Sequence, residues 1–241
     1  MYIMKILSII PARSGSKSLP DKNILDLNGK PVLAWSIEQA KQSKFASDMR
    51  IVVSTDSEKY ANIARQYGAE APFLRPSELS GDLSTDIEFL SHALEWFEKN
   101  EKYVPDIILQ LRPTSPTRKV QDIDDCLTTF INNIETYDSL RSVIRVEKSP
   151  YKMYTTDESF SLLLPLFKEV NGIQEPYNQC RQILPSCFLH NGYIDIIKAS
   201  IVKQGTISGE RIYPYIMSND DEIDIDHAGD MEKAKEAMSK S

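Results

Sequence analysis

The chain has 241 residues, long enough for one substantial core or a core with a small annex. Apolar and charged fractions of 41% and 26% are those of a globular protein, and a formal net charge of −7 leaves no basic face for nucleic acid or an anionic membrane. The three cysteines, Cys126, Cys180 and Cys187, are odd in number and lack metal-ligand spacing, so inert thiols are expected rather than a zinc site. No stretch is as long as a transmembrane helix. The apolar residues between Lys5 and Pro11 are too few for a signal peptide, which leads us to expect a cytoplasmic protein.

Residues 3–10, "IMKILSII", form a near-continuous apolar run, as in a strand covered on both faces. A turn at Asn28-Gly29 precedes a helix with Val32, Leu33, Ser36, Ile37 and Ala40 on one face. "RIVVSTD" is a short β-branched strand ending in polar residues. The helix "SEKYANIARQYG" follows, with Ser57 as N-cap and Gly68 as its stop. The helix "DIEFLSHALEWFEKN" places Ile87, Leu90, Leu94 and Phe97 together. Next come the strand "DIILQL", the helix "KVQDIDDCLTTFINNI" and the strand "SLRSVIRVE". Strands alternating with helices predict an α/β fold with a doubly wound, mainly parallel sheet.

The pattern changes near residue 148. Residues 148–188 carry Pro150, Pro165, Pro176 and Pro185 without a helical period, and are expected to form an insertion of short strands and loops. The core is then 1–147 with 189–241. "CFLHNGYIDII" resumes strand character, "RIYPYIMSNDDEIDID" is a strand leading to acids, and "AGDMEKAKEAMSK" is a terminal helix. Its early acids and later lysines suit the helix dipole.

In a doubly wound sheet the ligand sits beyond the carboxyl ends of the strands. "PARSGSKSLPDKN", "STDSE" and "RPTSPTR" all leave such ends. The first sets Arg13, Lys17 and Lys22 among Ser, Gly and Pro. It is not a P-loop: Ser16 precedes Lys17, and the glycine four residues earlier is missing. Gly15 still lets backbone amides approach phosphates, and Arg13 and Lys17 supply charge. A solvated basic loop is the plain alternative, disfavoured by its place after the first strand. In "EIDID", Asp224 and Asp226 face one side if the segment is extended, as holding one hard cation such as magnesium requires. A solvated acidic run is the alternative there. "QLRPTSPTR" offers Arg112, Thr114 and Ser115 to substrate polar groups, or is simply a rigid turn. Lys152 and Arg181 are isolated cations of the insertion. Asn191-Gly192 marks a turn or a tight approach. His92 is expected at a helix surface or edge, His190 adjoins Asn191, and His227 needs no catalytic role. Trp35 and Trp96 are read as core or half-buried helix residues.

Together "IPARSGSKSLPDKN", "IVVSTD", "LRPSELSGD", "RPTSPTR", "RQILPSCFLHNG" and "IDID" resemble the acylneuraminate cytidylyltransferases, or CMP-sialic acid synthetases, in order from residue 9 to 226. The resemblance implies a nucleotide-diphospho-sugar transferase-like fold. It implies a magnesium-dependent attack of the anomeric hydroxyl of a nine-carbon α-keto acid sugar on CTP, giving a CMP-sugar and pyrophosphate. It further implies that Ala12, Arg13, Lys17, Lys22, Asn23, Arg75 and Ser84 bind the nucleotide, with Arg75 and Ser84 at cytosine and ribose. Arg13, Lys17, Lys22 and Asp224 become the catalytic candidates, and Asp224 and Asp226 the metal ligands. Arg112 and Asn191 would lie near the sugar. The insertion would be a dimerisation arm whose Lys152 and Arg181 approach the sugar carboxylate in the other copy of a homodimer. Two positions depart from the pattern. Many relatives have Gly in place of Ser18, and Gln in place of Arg112. Arg112 points either to a different acyl sugar, such as legionaminic acid or a deaminated sialic acid, or to the sugar carboxylate. Competing readings are a cytidylyltransferase for an eight-carbon 3-deoxy sugar acid, a glycosyltransferase, and a nucleotide-binding relative without activity. "SGSKSLPDKN" and "RQILP" favour the nine-carbon branch.

Overall fold

The structure is a computed structural model that describes residues 4–218 and 223–239. Ile3, residues 219–222 and Lys240, assigned above to strands, the acidic run or the terminal helix, lie outside the described residues. The chain divides into two compact units. The first draws on 1–142, 192–215 and 220–241, the second on 143–191 and 216–219.

The strands are β1 (Ile6–Pro11), the short pair β2 (Asp26–Leu27) and β3 (Lys30–Pro31), β4 (Met49–Ser54), β5 (Ile107–Gln110) and β6 (Ser139–Arg145). Four short strands follow: β7 (Tyr154–Thr156), β8 (Leu163–Pro165), β9 (Glu169–Val170) and β10 (Ile173–Gln174). The last two are β11 (Phe188–Lys198) and β12 (Ile212–Met217). The helices are α1 (Val32–Gln42), α2 (Glu58–Gln66), α3 (Asp86–Glu101), α4 (Val120–Asn132), α5 (Ala199–Lys203) and α6 (Ala228–Ser239).

The main sheet has the order β12-β6-β11-β5-β1-β4. β1 runs parallel to both neighbours, with Ile9 opposite Val52 of β4 and Gln110 of β5. β11 joins β5 antiparallel. The fold is the expected α/β one, with the parallel trio β5-β1-β4 at one side of the sheet. Its local cause is the apolar run of β1. Ile6, Leu7, Ile9 and Ile10 are fully buried, each contributing about 1.5–3 kcal/mol. Leu7 and Ile9 pack with Val52, Phe89, Leu90 and Phe97 in one cluster. The chain goes from β1 to β4 on one side and returns to β5 on the other. That reversal opens a crevice at the carboxyl ends of β1 and β5.

Local chemistry sets the connections. Asn28 and Gly29 both have positive φ, 53° and 83°, as a tight turn between β2 and β3 requires. The predicted face of α1, Ser36 included, is buried. At α3, the Thr85 backbone N–H donates to Glu88 Oε2 at 2.6 Å, which fixes the helix start and so the place of Asp86.

Ser57 stands at the N-cap of α2, but its side chain caps nothing; its backbone N–H donates to Thr55 Oγ1 at 3.2 Å. His92 is half-buried, as the expected position at a helix edge implies. Its ring meets Phe73 edge-on at 4.9 Å, and burial lowers its pKa.

Within the second unit, β7 and β8 form a hairpin with Thr155 opposite Leu164, and β9 pairs with β10. The Asp157 carboxylate ties the hairpin's connection by accepting from the backbone N–H groups of Ser161 and Leu162 at 2.8 and 2.9 Å. Phe160, Leu162 and Leu163 of this arm are exposed.

Candidate active site

The opening loop is tied down where it leaves β1. Buried Ala12 donates its N–H to Ser54 O at 2.9 Å. Ser14 donates its N–H and its hydroxyl to the two oxygens of Asp56, each at 2.8 Å. Buried Asn23 donates Nδ2 to Arg13 O at 3.0 Å. Asp21, at φ 55°, accepts from Tyr60 Oη at 2.9 Å and Lys59 Nζ at 3.3 Å. A loop held at both ends keeps its cations in place before a ligand arrives.

A cavity of about 200 Å³ lies beside this loop. It is lined by Arg13, Lys22, Asn23, Arg75, Ser84, Arg112 and Thr114, all candidates from the sequence, together with Pro11, Ser16, Asp86, Phe89 and Pro113. Lys17 is not among the lining residues. Its ammonium pairs with Asp82, which also accepts from Arg13 Nη1 at 2.9 Å. Lys17 first and Arg13 second hold the Asp82 carboxyl below its usual range. One carboxylate thus occupies both cations assigned to phosphate.

The two other arginines of the cavity are held differently. Arg75 is 5% exposed. It donates Nε to Ser54 Oγ at 3.1 Å and Nη2 to Ser54 O at 2.6 Å, and stacks 4.7 Å from the Phe89 ring centre. Burial pushes its pKa down to about 10. Arg112 donates Nη1 to Gly192 O at 3.1 Å and to Asp195 Oδ2 at 2.6 Å, and Nη2 to Asp86 Oδ2 at 2.5 Å. The tight approach expected at Asn191-Gly192 is this one. Gly192 lies in β11 rather than in a turn, at φ +71°, and a Cβ there would stand 2.8 Å from Arg112 Nη1.

The acidic pair flanks Ile225, which is fully buried and donates its N–H to Thr114 O at 2.8 Å. Desolvation raises the Asp224 pKa and the charge of Asp226 raises it further, while a hydrogen bond with Thr114 and the charges of Lys22 and Arg112 oppose the shift. Lys22 Nζ meets Asp226 Oδ1 at 3.0 Å. A carboxylate whose charge is disfavoured by burial, beside a second one that has already drawn a lysine, suits a hard cation. Magnesium commonly takes one or two carboxylates and completes its shell with water and substrate oxygens.

The remaining candidates belong to the second unit. Lys152 and Arg181 line a cavity of about 280 Å³ with Lys148 and Glu147, and Asn191 Nδ2 lies 3.5 Å from Met217 Sδ.

A family model described as cytidylyltransferase matches residues 7–158. The chain belongs to the cytidylyltransferase family. It is 36% identical over 231 residues to an N-acylneuraminate cytidylyltransferase of Escherichia coli, covering 95% of this chain and 51% of that one. It is also 36% identical over 226 residues to a CMP-N,N'-diacetyllegionaminic acid synthase of Legionella pneumophila, covering 92% and 91%. The chain thus spans about half the length of the N-acylneuraminate cytidylyltransferases it matches. A solved CMP:2-keto-3-deoxy-manno-octonic acid synthetase in complex with CTP superposes with a TM-score of 0.69 at 18% identity, covering 98% of this chain and 99% of that one. At that identity the likeness shows the fold.

Asp56, Asp82, Asp86, Asp195 and Phe89 escaped the sequence reading of this cytidylyltransferase. Asp86 had one usable signal, its place directly behind the capping residue Thr85. Asp82 and Asp195 had none, because their partners lie far away in sequence.

Proposed function

We propose that the protein joins the CMP moiety of CTP to a nine-carbon, sialic-acid-like α-keto acid sugar and releases pyrophosphate. The observation that carries this reading is the cavity at the β1/β5 switch point, where Arg13, Lys22, Arg75 and Ser84 converge in a member of the cytidylyltransferase family. The sugar's anomeric hydroxyl attacks the α-phosphorus. A new P–O bond forms, the bond to the bridging oxygen breaks, pyrophosphate takes the electron pair, and the hydroxyl proton passes to an aspartate carboxylate or to water. Such transfer needs charge neutralisation and in-line positioning more than covalent help. Arg13 and Lys17 hold the phosphates and the departing pyrophosphate once Asp82 lets go of them. Lys22 and Asn23 reach the α-phosphate and the nucleotide. Arg75 and Ser84 face the cytidine.

Magnesium is the cofactor we assign, with Asp224 and Asp226 as its ligands. Bound there it would spread the charge that develops on the phosphate oxygens. The protein acts as a homodimer in this reading: Arg112 and Asn191 stand near the sugar of their own copy, and Lys152 and Arg181 of each copy approach the sugar carboxylate held by the other. A cytoplasmic setting belongs to the same proposal. No described helix is long and apolar enough to cross a membrane.

The test is pyrophosphate release from CTP and magnesium with a panel of sugars: N-acetylneuraminic acid, its deaminated form, diacetyllegionaminic acid, pseudaminic acid and the eight-carbon 3-deoxy acid. Release with one nine-carbon sugar is expected. Release with the eight-carbon acid alone would overturn the substrate class, and no release with any sugar would overturn the reaction.

A further inference from the structure

We infer that Arg118 is a positioning residue for the proposed cation site: it holds the loop that carries Thr114 in the shape that sets Asp224 and Asp226 in place. The inference rests on the assignment of magnesium to those two carboxylates. Arg118 closes the "RPTSPTR" segment and is 3% exposed. It is not among the residues that line the cavity of Arg13 and Arg75, so it acts through others.

Its guanidinium grips three parts of the fold at once. Nε donates to Tyr193 O of β11 at 2.6 Å. Nη1 donates to Ser36 Oγ and Gln39 Oε1 of α1 at 3.1 and 2.9 Å, and Nη2 to Arg112 O at 2.7 Å. Ser36 Oγ sends its own hydrogen to Arg112 O at 3.3 Å, and Gln39 Nε2 donates to Pro116 O at 2.7 Å. The loop is thus pinned from behind at residues 112 and 116.

Thr114 lies between those two points. Its carbonyl accepts from the Ile225 N–H at 2.8 Å, and its side chain hydrogen-bonds Asp224. Ile225, fully buried, separates the two acids. A backbone shift at Arg112 O therefore passes through Thr114 to the carboxylates on either side of Ile225. Metal ligands depend on such outer partners, and losing one commonly costs about 10- to 100-fold in metal affinity.

A guanidinium is the group this task needs. Pro113 and Pro116 already restrict the loop's backbone, so a rigid turn alone would not call for a cation taken out of water at a cost. The acceptors on helix, strand and loop fit the planar fork of arginine. An ammonium carries its donors on a single nitrogen and cannot span them.

The experiment compares the wild type with Arg118→Lys, which keeps the charge and loses the fork. Manganese stands in for magnesium, and its binding is read from the spin-resonance signal of the free ion, with and without CTP. Arg118→Lys should bind manganese about tenfold more weakly, and raising the metal should restore pyrophosphate release with the accepted sugar. A folded Arg118→Lys with a lowered Tm and wild-type manganese affinity would overturn the inference alone, because only a structural role would remain. Hydrogen exchange at Ile225 needs no variant. Its amide should exchange slowly in the wild type, and fast exchange would break the link through Thr114 even if Arg118→Lys does not fold. A wild type that binds no manganese, or an Asp224→Ala variant that binds it equally well, would overturn the magnesium assignment and this inference with it.

Discussion

Two charge clusters, one on the opening loop and one around Arg112, hold charge in opposite ways. In the loop cluster, Arg13, Lys17 and Asp82 have side chains 34%, 83% and 37% exposed. In the other, Arg112, Asp86 and Asp195 are 24%, 30% and 4% exposed. Exposed pairs in high dielectric give up a partner at little cost. Partly buried ones do not, because the charge left behind has lost its water. The loop cluster is therefore suited to exchanging one anion for another. The Arg112 cluster is suited to holding a shape against which a ligand is compared.

The largest effect should come from the proposed cation site. In Asp224→Ala the pair flanking Ile225 loses a carboxylate, and pyrophosphate release from CTP and magnesium should fall by at least about a hundredfold. A steady-state assay that found release within a few-fold of wild type would remove Asp224 from the proposed cation site.

Breaking the Arg112 cluster should show in stability as well as turnover. Gly192→Ala puts a Cβ 2.8 Å from Arg112 Nη1 at a residue with φ +71°. Strain and a displaced guanidinium together should cost about 2 kcal/mol or more, lowering Tm by several degrees. The cost should shrink in an Arg112→Gln background, where the side chain is shorter. A double-mutant cycle by thermal melting would read the coupling between the two positions. Additivity would mean that the glycine answers to its backbone angle alone and not to Arg112.

How far the sequence foretold each cluster follows from the same contrast. β1 and β5 were legible because burial on both faces leaves an unbroken apolar run, and the turn at Asn28-Gly29 because its dihedral angles favour those residues. Arg13, Lys17 and Lys22 stood out because cations behind a buried strand are costly without a purpose. The partners of those residues were not legible. Arg13 meets Asp82 across 69 positions, and Arg112 meets Asp195 across 83. No local period encodes such pairings, which arise only when β1, β5 and β11 are laid side by side. Read alone, Arg112 offered itself to substrate polar groups or to a rigid turn, and only the family resemblance set it near the sugar. In the fold its guanidinium is engaged by two carboxylates. Ser57 shows the same limit on a small scale: the residue type fits a cap, but the chain directs only its backbone to Thr55.

The smallest effect tests whether the loop cluster really is exchangeable. Asp82 holds Arg13 and Lys17, so CTP or pyrophosphate must displace its carboxylate before either cation is free. Asp82→Asn removes the charge and keeps the shape. If Asp82 is only a competitor, both ligands should bind about two- to fivefold tighter to the variant, a gain in line with exposed ion pairs. The gain should fade at high salt, because ions screen the attraction that the wild type has to break. Inorganic pyrophosphate is the better probe, since it lacks a base and reports the loop cluster alone. Tighter pyrophosphate binding that fades at high salt would mark Asp82 as a competitor for the two cations. Weaker binding would mean that Asp82 positions the two cations for the phosphates rather than withholding them.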